Sequence, residues 1–210
     1  GCGNGNYGIG FQNFLGEGFR SYTGIDIYKD KNYPAQYSHI LCNAEKSADY
    51  LDGHNLIVSQ SSLEHMENDK FILKEVTKTL CDSNKPFIQI HVVPATASLI
   101  LYGWHGWRQY SHKNLGSIFN NLTFSNKIKM KAIPLGGWAS FYAHLRYITV
   151  PYLLKKIFSK YNIHGSTTHT QKIKSTALKD KHTKASIPIF WAFIIYSNDI
   201  NFDSLFKEEL

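Results

Sequence analysis

The sequence predicts one α/β domain built around a mostly parallel β-sheet. Three observations carry this. Helix-like and strand-like stretches alternate through the first two-thirds of the 210 residues. A glycine-rich string, GCGNGNYGIG, stands directly before a helical pattern. Two runs, residues 55–59 and 189–196, are nearly apolar throughout rather than alternating, as strands covered on both faces must be.

The elements follow in order. After the glycine loop, residues 7–15 form a short helix that Gly16 and Gly18 terminate. Residues 21–27 (SYTGIDI) are rich in β-formers and predict a strand, and 38–42 a second short one ending at Asn43. Residues 55–59 (NLIVS) are a buried strand. Residues 68–80 place Phe71, Ile72, Val76 and Leu80 at helical spacing on one face. The next strand is 86–93 (PFIQIHVV). Ser111 is suited to cap a helix running to about 119. Residues 128–135 read as a strand stopped by Gly136-Gly137. Residues 141–158 are helical in pattern, with a break or kink expected at Pro151. Residues 159–186 are polar, rich in Thr, Lys and His, and predict an exposed loop or insertion. Residues 189–196 (IFWAFIIY) form the last buried strand. We divide the chain into a core, 1–126, and a part of the same domain, 127–210, that adds strands and a basic insertion.

Composition narrows the function classes. A hydrophobic share of 43% and an aromatic share of 14% exclude a disordered chain. Cys2, Cys42 and Cys81 lie far apart with no CxxC pair, so neither a disulfide framework nor a metal site is expected, and a reducing, cytoplasmic compartment is. The longest near-continuous apolar run, 187–196, is too short to cross a bilayer as a helix. The net charge of +7 is uneven. Residues 1–126 hold 10 Lys/Arg against 11 Asp/Glu, residues 127–184 hold 12 against Asp180 alone, and residues 185–210 hold Lys207 against four acids. The basic excess can meet an anionic partner or simply face water.

Two motifs point to an adenosine-containing cofactor. Gly1, Gly3 and Gly5 alternate, which lets backbone turn sharply and approach a ligand at a helix N-terminus; Gly3, Gly5 and Gly8 also satisfy GxGxxG. Asp26 ends the next strand, 21 positions after Gly5, where a carboxylate can accept hydrogen bonds from ribose hydroxyls. These two alone do not separate S-adenosylmethionine from NAD. Asn43-Ala44-Glu45 follows the second predicted strand, and SQSSLEH (59–65) follows NLIVS.

Together these residues resemble the class I S-adenosylmethionine-dependent methyltransferases, especially the group acting on small molecules, quinones and sugars. The resemblance covers about residues 1–95, and HVVPA at 91–95 fits the fifth strand of that fold. It implies a Rossmann-like sheet, mostly parallel with an antiparallel last strand, whose first, central strand would precede Gly1 and end in an acid. A chain without that strand is expected to bind cofactor poorly, since a central strand's backbone partners go unsatisfied. The resemblance implies that Gly1, Gly3 and Gly5 face the methionine and ribose end of S-adenosylmethionine. Asp26 would hold the ribose diol, Asn43 and Ala44 the adenine, and Gln60, Ser61 and Ser62 the methionine side. The family often has Asp where Asn43 stands; Asn keeps the acceptor oxygen and loses the charge.

The resemblance further implies methyl transfer to a small-molecule or glycan acceptor, most simply a hydroxyl. His65 is the first candidate base and His105, in YGWHGWRQY, the second. Trp104, Trp107 and Tyr110 are suited to stack on a sugar or other flat face, and Arg108 to bind an anionic group. The same string and Leu135-Gly136-Gly137 resemble methyltransferases encoded beside surface-polysaccharide genes. Residues 141–158 mix aromatics with Arg146, Lys155 and Lys156, which suits either a cover for the sheet or contact with the inner face of a membrane near a lipid-linked acceptor. Nucleic-acid methylation is not expected, because no Asn/Asp-Pro-Pro-aromatic motif is present. A nicotinamide-dependent oxidoreductase of the short-chain type is the rival reading. Tyr152 and Lys156 fit its YxxxK pair with Ser140 upstream, but its glycine spacing needs a glycine at Asn4. A non-catalytic binding module is the second rival.

Overall fold

The computed structural model describes residues 1–103, 106–157, 175, 176, 178–180 and 188–202. Helix α1 (Asn6–Leu15) follows the glycine loop and leads to β1 (Thr23–Asp26) and β2 (Ser38–Leu41). Then come β3 (Leu56–Gln60), α2 (Asp69–Asp82), β4 (Ile88–Pro94), α3 (Ser98–Tyr102), α4 (His112–Leu122) and β5 (Ile128–Leu135). Helices α5 (Trp138–His144) and α6 (Val150–Ile157) precede the last strand, β6 (Phe190–Ser197).

The strands form two sheets. β1 and β2 pair in parallel, and β3, β4, β6 and β5 pair in that order. β3 is parallel to β4, whereas β6 runs antiparallel to both β4 and β5. The antiparallel last strand is thus present, and β5 runs in the same direction as β3 and β4. Sandwiched between β4 and β5, β6 is buried from Trp191 to Ser197, which explains its unbroken apolar sequence.

A cavity of about 750 Å³ separates the two sheets. Tyr22 and Ile25 wall one side, Ile57 and Ser59 the other, and Gly1 and Gln60 stand at one end. This gap lies between β1 and β3.

The main core lies on one face of the larger sheet. Leu73, Val76 and Leu80 of α2, and Ile118 and Leu122 of α4, pack with Phe193 and Ile195. Burying each such side chain contributes about 1.5–3 kcal/mol. On the opposite face Ile194 and Tyr196 pack with Phe202. A buried polar chain crosses the sheet. Ser59 Oγ meets His91 Nδ1 at 2.8 Å, His91 Nε2 meets Gln89 Oε1 at 3.3 Å, and Gln89 donates to Thr77 Oγ1 at 2.9 Å. Burial pushes the His91 imidazole down to about 3, so it is neutral.

Two expectations are corrected. The helical break falls at Leu145–Thr149, a π turn, rather than at Pro151. Proline lacks an N–H and its ring crowds the carbonyl four residues back, at Tyr147, so the turn before it widens and α6 continues through Pro151. Helix α3 was not expected; it occupies a short apolar stretch with no cap or periodicity to mark it. Most of the 159–186 insertion lies outside the described residues. Among the described residues no helix is long and apolar enough to cross a membrane, and no group of three or more His, Cys, Asp or Glu side chains is placed to hold a metal.

Candidate functional site

The glycine loop sits where the carboxyl ends of β1 and β3 meet. Cys2 N–H donates to Ile25 O at 3.0 Å, and Ser62 Oγ donates to Gly1 O at 3.3 Å. The loop is therefore stitched to both sheets. Gly3 N–H donates to Asp26 Oδ2 at 2.9 Å, so the loop and the strand-end acid meet directly. Gly3 has φ +54°, and a Cβ built there would meet no atom within 4 Å. Its backbone thus faces open space in a conformation that favours glycine. Gly5 is the N-cap of α1 and packs tightly against the Tyr33 ring.

Asp26 is buried, and its Oδ1 also accepts from Ile27 N–H at 2.7 Å. Burial works to raise its pKa, while the Gly3 N–H, the positive charge of the Gly1 amino group and the N–H groups of Ile27 and Tyr28 together hold the carboxyl below its ordinary value. A carboxylate with about four lone-pair directions keeps room for a further donor after these bonds. Asn43 stands one residue beyond Cys42, whose N–H donates to Asp26 O at 2.9 Å. Its side chain caps the next turn, accepting from Glu45 N–H at 3.1 Å, and Ala44 lines the cavity. Gly3, Asp26 and Asn43 thus share one end of the β1–β2 sheet, although of the residues expected to hold cofactor only Gly1, Ala44 and Gln60 line the cavity itself.

Ser61 is held at φ +47°, a strained setting for a residue other than glycine, with its N–H on Val92 O at 2.9 Å. The turn Leu63–His65 follows, with Glu64 buried and His65 exposed.

The loop before α4 is clamped onto this turn. Trp107 N–H donates to Glu64 O at 2.6 Å. Gly106, at φ +71°, lies so close that a Cβ would come within 2.4 Å of Glu64 O. Arg108 reaches Asp69 and, at 2.6 Å, Glu67 O. Tyr110 donates to Asp69 Oδ2 at 2.7 Å. These contacts correct two expectations. Arg108 spends its guanidinium on Asp69, so it is not a free anion receptor, and Tyr110 is fully buried, so it cannot stack on an acceptor. Trp107 remains 57% exposed. Trp104 and His105 lie outside the described residues. Of the rival oxidoreductase set, Ser140 has its N–H on Asp180 and Tyr152 faces solvent.

Sequence reasoning did not find two structural partners. Asp69 carries no signal, because its partners lie 39 and 41 positions away. Asp180 accepts from Gly137, Ala139 and Ser140 N–H at 2.7–3.1 Å, which caps α5 from a distant segment. Its place as the lone acid of the basic stretch was the available clue.

No family model matches the chain, and no curated protein matches it in sequence. Solved structures do match. A plantazolicin methyltransferase, BamL, solved with a triazolic desmethylplantazolicin analogue and S-adenosylhomocysteine, superposes with a TM-score of 0.56 at 14% identity; the match covers 94% of this chain and 75% of that one. The chain has the fold of the S-adenosylmethionine-dependent methyltransferases. A methyltransferase of that type from Archaeoglobus fulgidus gives a TM-score of 0.51 at 16% identity, covering 94% of this chain and 83% of that one. In the methyltransferase fold seen here the glycine loop, Asp26 and Ser62 stand at the carboxyl ends of the strands, the edge where open α/β sheets bind ligands.

Proposed function

We propose that this chain transfers a methyl group from S-adenosylmethionine to the hydroxyl of a small-molecule or glycan acceptor. The observation that carries the reading is the junction of Gly3, Asp26 and Ser62 at one strand-end edge, with open space before the Gly3 backbone. The residues fit the cofactor: a left-handed glycine gives close approach, and a buried, ionised carboxylate suits a ribose diol. The bound cofactor supplies a methyl carbon on a sulfonium; the acceptor oxygen bonds to it as the C–S bond breaks, its electron pair going to sulfur. The chain's own groups orient the partners. Asp26 accepts from ribose hydroxyls, Asn43 and Ala44 border the adenine, and Gln60, Ser61 and Ser62 border the methionine. His65, exposed on the neighbouring turn, takes the proton that the hydroxyl loses.

Calorimetric titration of the full-length protein with S-adenosylhomocysteine and with NAD tests this. Saturable binding of the first and none of the second is expected. NAD binding with no response to S-adenosylhomocysteine overturns the reading.

A further inference from the structure

Every strand of the larger sheet except β6 points its carboxyl end the same way, so Gln60, Pro94 and Leu135 finish at one edge. Helix α5 begins three residues beyond Leu135, and so rises from the edge that carries the glycine loop. Three aromatic rings crowd its surface. Trp138 lies 5.7 Å from Phe141 and 6.3 Å from Tyr142 between ring centroids, and Phe141 and Tyr142 are 6.2 Å apart. Trp138 is 51% exposed and Tyr142 64%. Arg146, four residues on, is also exposed.

Single exposed apolar side chains are ordinary, but a closed ring cluster on a fixed helix is not. The helix is fixed. Asp180 takes three N–H groups of its first turn, and Thr149 Oγ1 donates to Leu101 O at 2.8 Å, tying the following π turn to α3. Residues 138–149 carry one charged side chain, Arg146, and Asp180 is engaged by the helix end.

We propose that Trp138, Tyr142 and Arg146 recognise the methyl acceptor, and that the acceptor joins a flat apolar face to a negative charge. The proposal rests on the methyltransferase reading and names the substrate class of that site. The rings cover the flat face, and the guanidinium meets the anion. Arg146 replaces Arg108 as the charged receptor, because Arg108 is held by Asp69.

The test uses the full-length protein saturated with S-adenosylhomocysteine, titrated with 2-naphthyl phosphate, 2-naphthol and inorganic phosphate. Naphthyl phosphate is expected to bind at least tenfold more tightly than either part alone. Trp138→Ala and Arg146→Ala should each weaken it at least fivefold while leaving S-adenosylhomocysteine affinity within twofold. Tyr142→Ser, on the exposed face, gives the same reading should Trp138→Ala fail to fold. Equal affinity for the three probes, or variants that bind like the parent, overturns the proposal. Vesicles of phosphatidylglycerol that bind through Trp138 while naphthyl phosphate does not would replace a soluble acceptor by a lipid surface, and also overturn it. Failure of S-adenosylhomocysteine to bind the full-length protein refutes the methyltransferase reading separately, since the naphthyl phosphate titration can be repeated without it.

Discussion

Replacing Asp69 by Asn tests the clamp that holds the 106–110 loop against the Leu63–His65 turn. The Asp69 side chain is 2% exposed, whereas Arg108 is 27% exposed. The carboxylate receives Arg108, the Tyr110 hydroxyl and Lys70 N–H. Removing one partner of a fully buried ion pair costs about 3–5 kcal/mol. Two features reduce that figure here. Asn keeps one acceptor oxygen, and the partly exposed Arg108 regains some water. The expected loss is about 2 kcal/mol. Tyr110→Phe removes one hydrogen bond and should cost about 1–1.5 kcal/mol. Because both groups share one carboxylate, the double variant should fall short of the sum by roughly 1 kcal/mol. Urea denaturation followed by circular dichroism reads these values, with midpoints falling by roughly 1 M at unchanged slope. A loss below about 0.5 kcal/mol for Asp69→Asn would show that the clamp is not formed, and additive single effects would show that the two residues do not share it.

Three other outcomes follow from the geometry. Asp26→Ala should weaken S-adenosylhomocysteine binding by roughly 1.5–3 kcal/mol, about ten- to a hundredfold, through lost charge-assisted hydrogen bonds; an unchanged calorimetric affinity would move the ribose site elsewhere. His91 is neutral in the fold, with a pKa near 3. The unfolded chain binds a proton at about 6.5 and the folded chain does not, so the fold should lose about 1.4 kcal/mol per pH unit as pH falls from 6.5 towards 3. His91→Gln should flatten that slope between pH 6 and 4.5, and identical slopes in the two proteins would refute a buried neutral imidazole. His65→Ala should lower methyl incorporation from labelled S-adenosylmethionine into cell-envelope extract by about 10²-fold or more, leaving S-adenosylhomocysteine affinity within twofold; full activity would remove it as the base.

What was readable in the sequence was local. The 128–135 strand ends where Gly136-Gly137 stops it, and Ser111 caps α4 by accepting from Asn114 N–H, because both signals act within a few residues. The apolar run at 189–196 was legible as a strand because burial on both faces leaves no place for polar residues. The nearness of the glycine loop to Asp26 was legible as a spacing, since a loop, a helix and one strand return the chain to the same edge, whereas the direct Gly3–Asp26 bond was not. Arg108 was misread for the opposite reason. Its place in an aromatic string suggested a ligand, while its partner Asp69 lies 39 residues earlier inside a helix's first turn, a place where an acid is expected for the helix dipole alone.

The same distinction orders the site. The proposed cofactor side is written in motifs because main-chain geometry makes it: a left-handed glycine and a strand-end carboxylate each need a particular residue type at one position. The proposed acceptor side has no such grammar. Trp138, Tyr142 and Arg146 are ordinary helix-surface residues in sequence, and they gain meaning only because β5 runs parallel to β3 and β4 and so delivers α5 to the glycine-loop edge. Had β5 run the other way, the same three side chains would stand at the far end of the sheet from Asp26. Strand direction, set by the antiparallel β6 between β4 and β5, therefore decides whether this surface can reach a transferred methyl group.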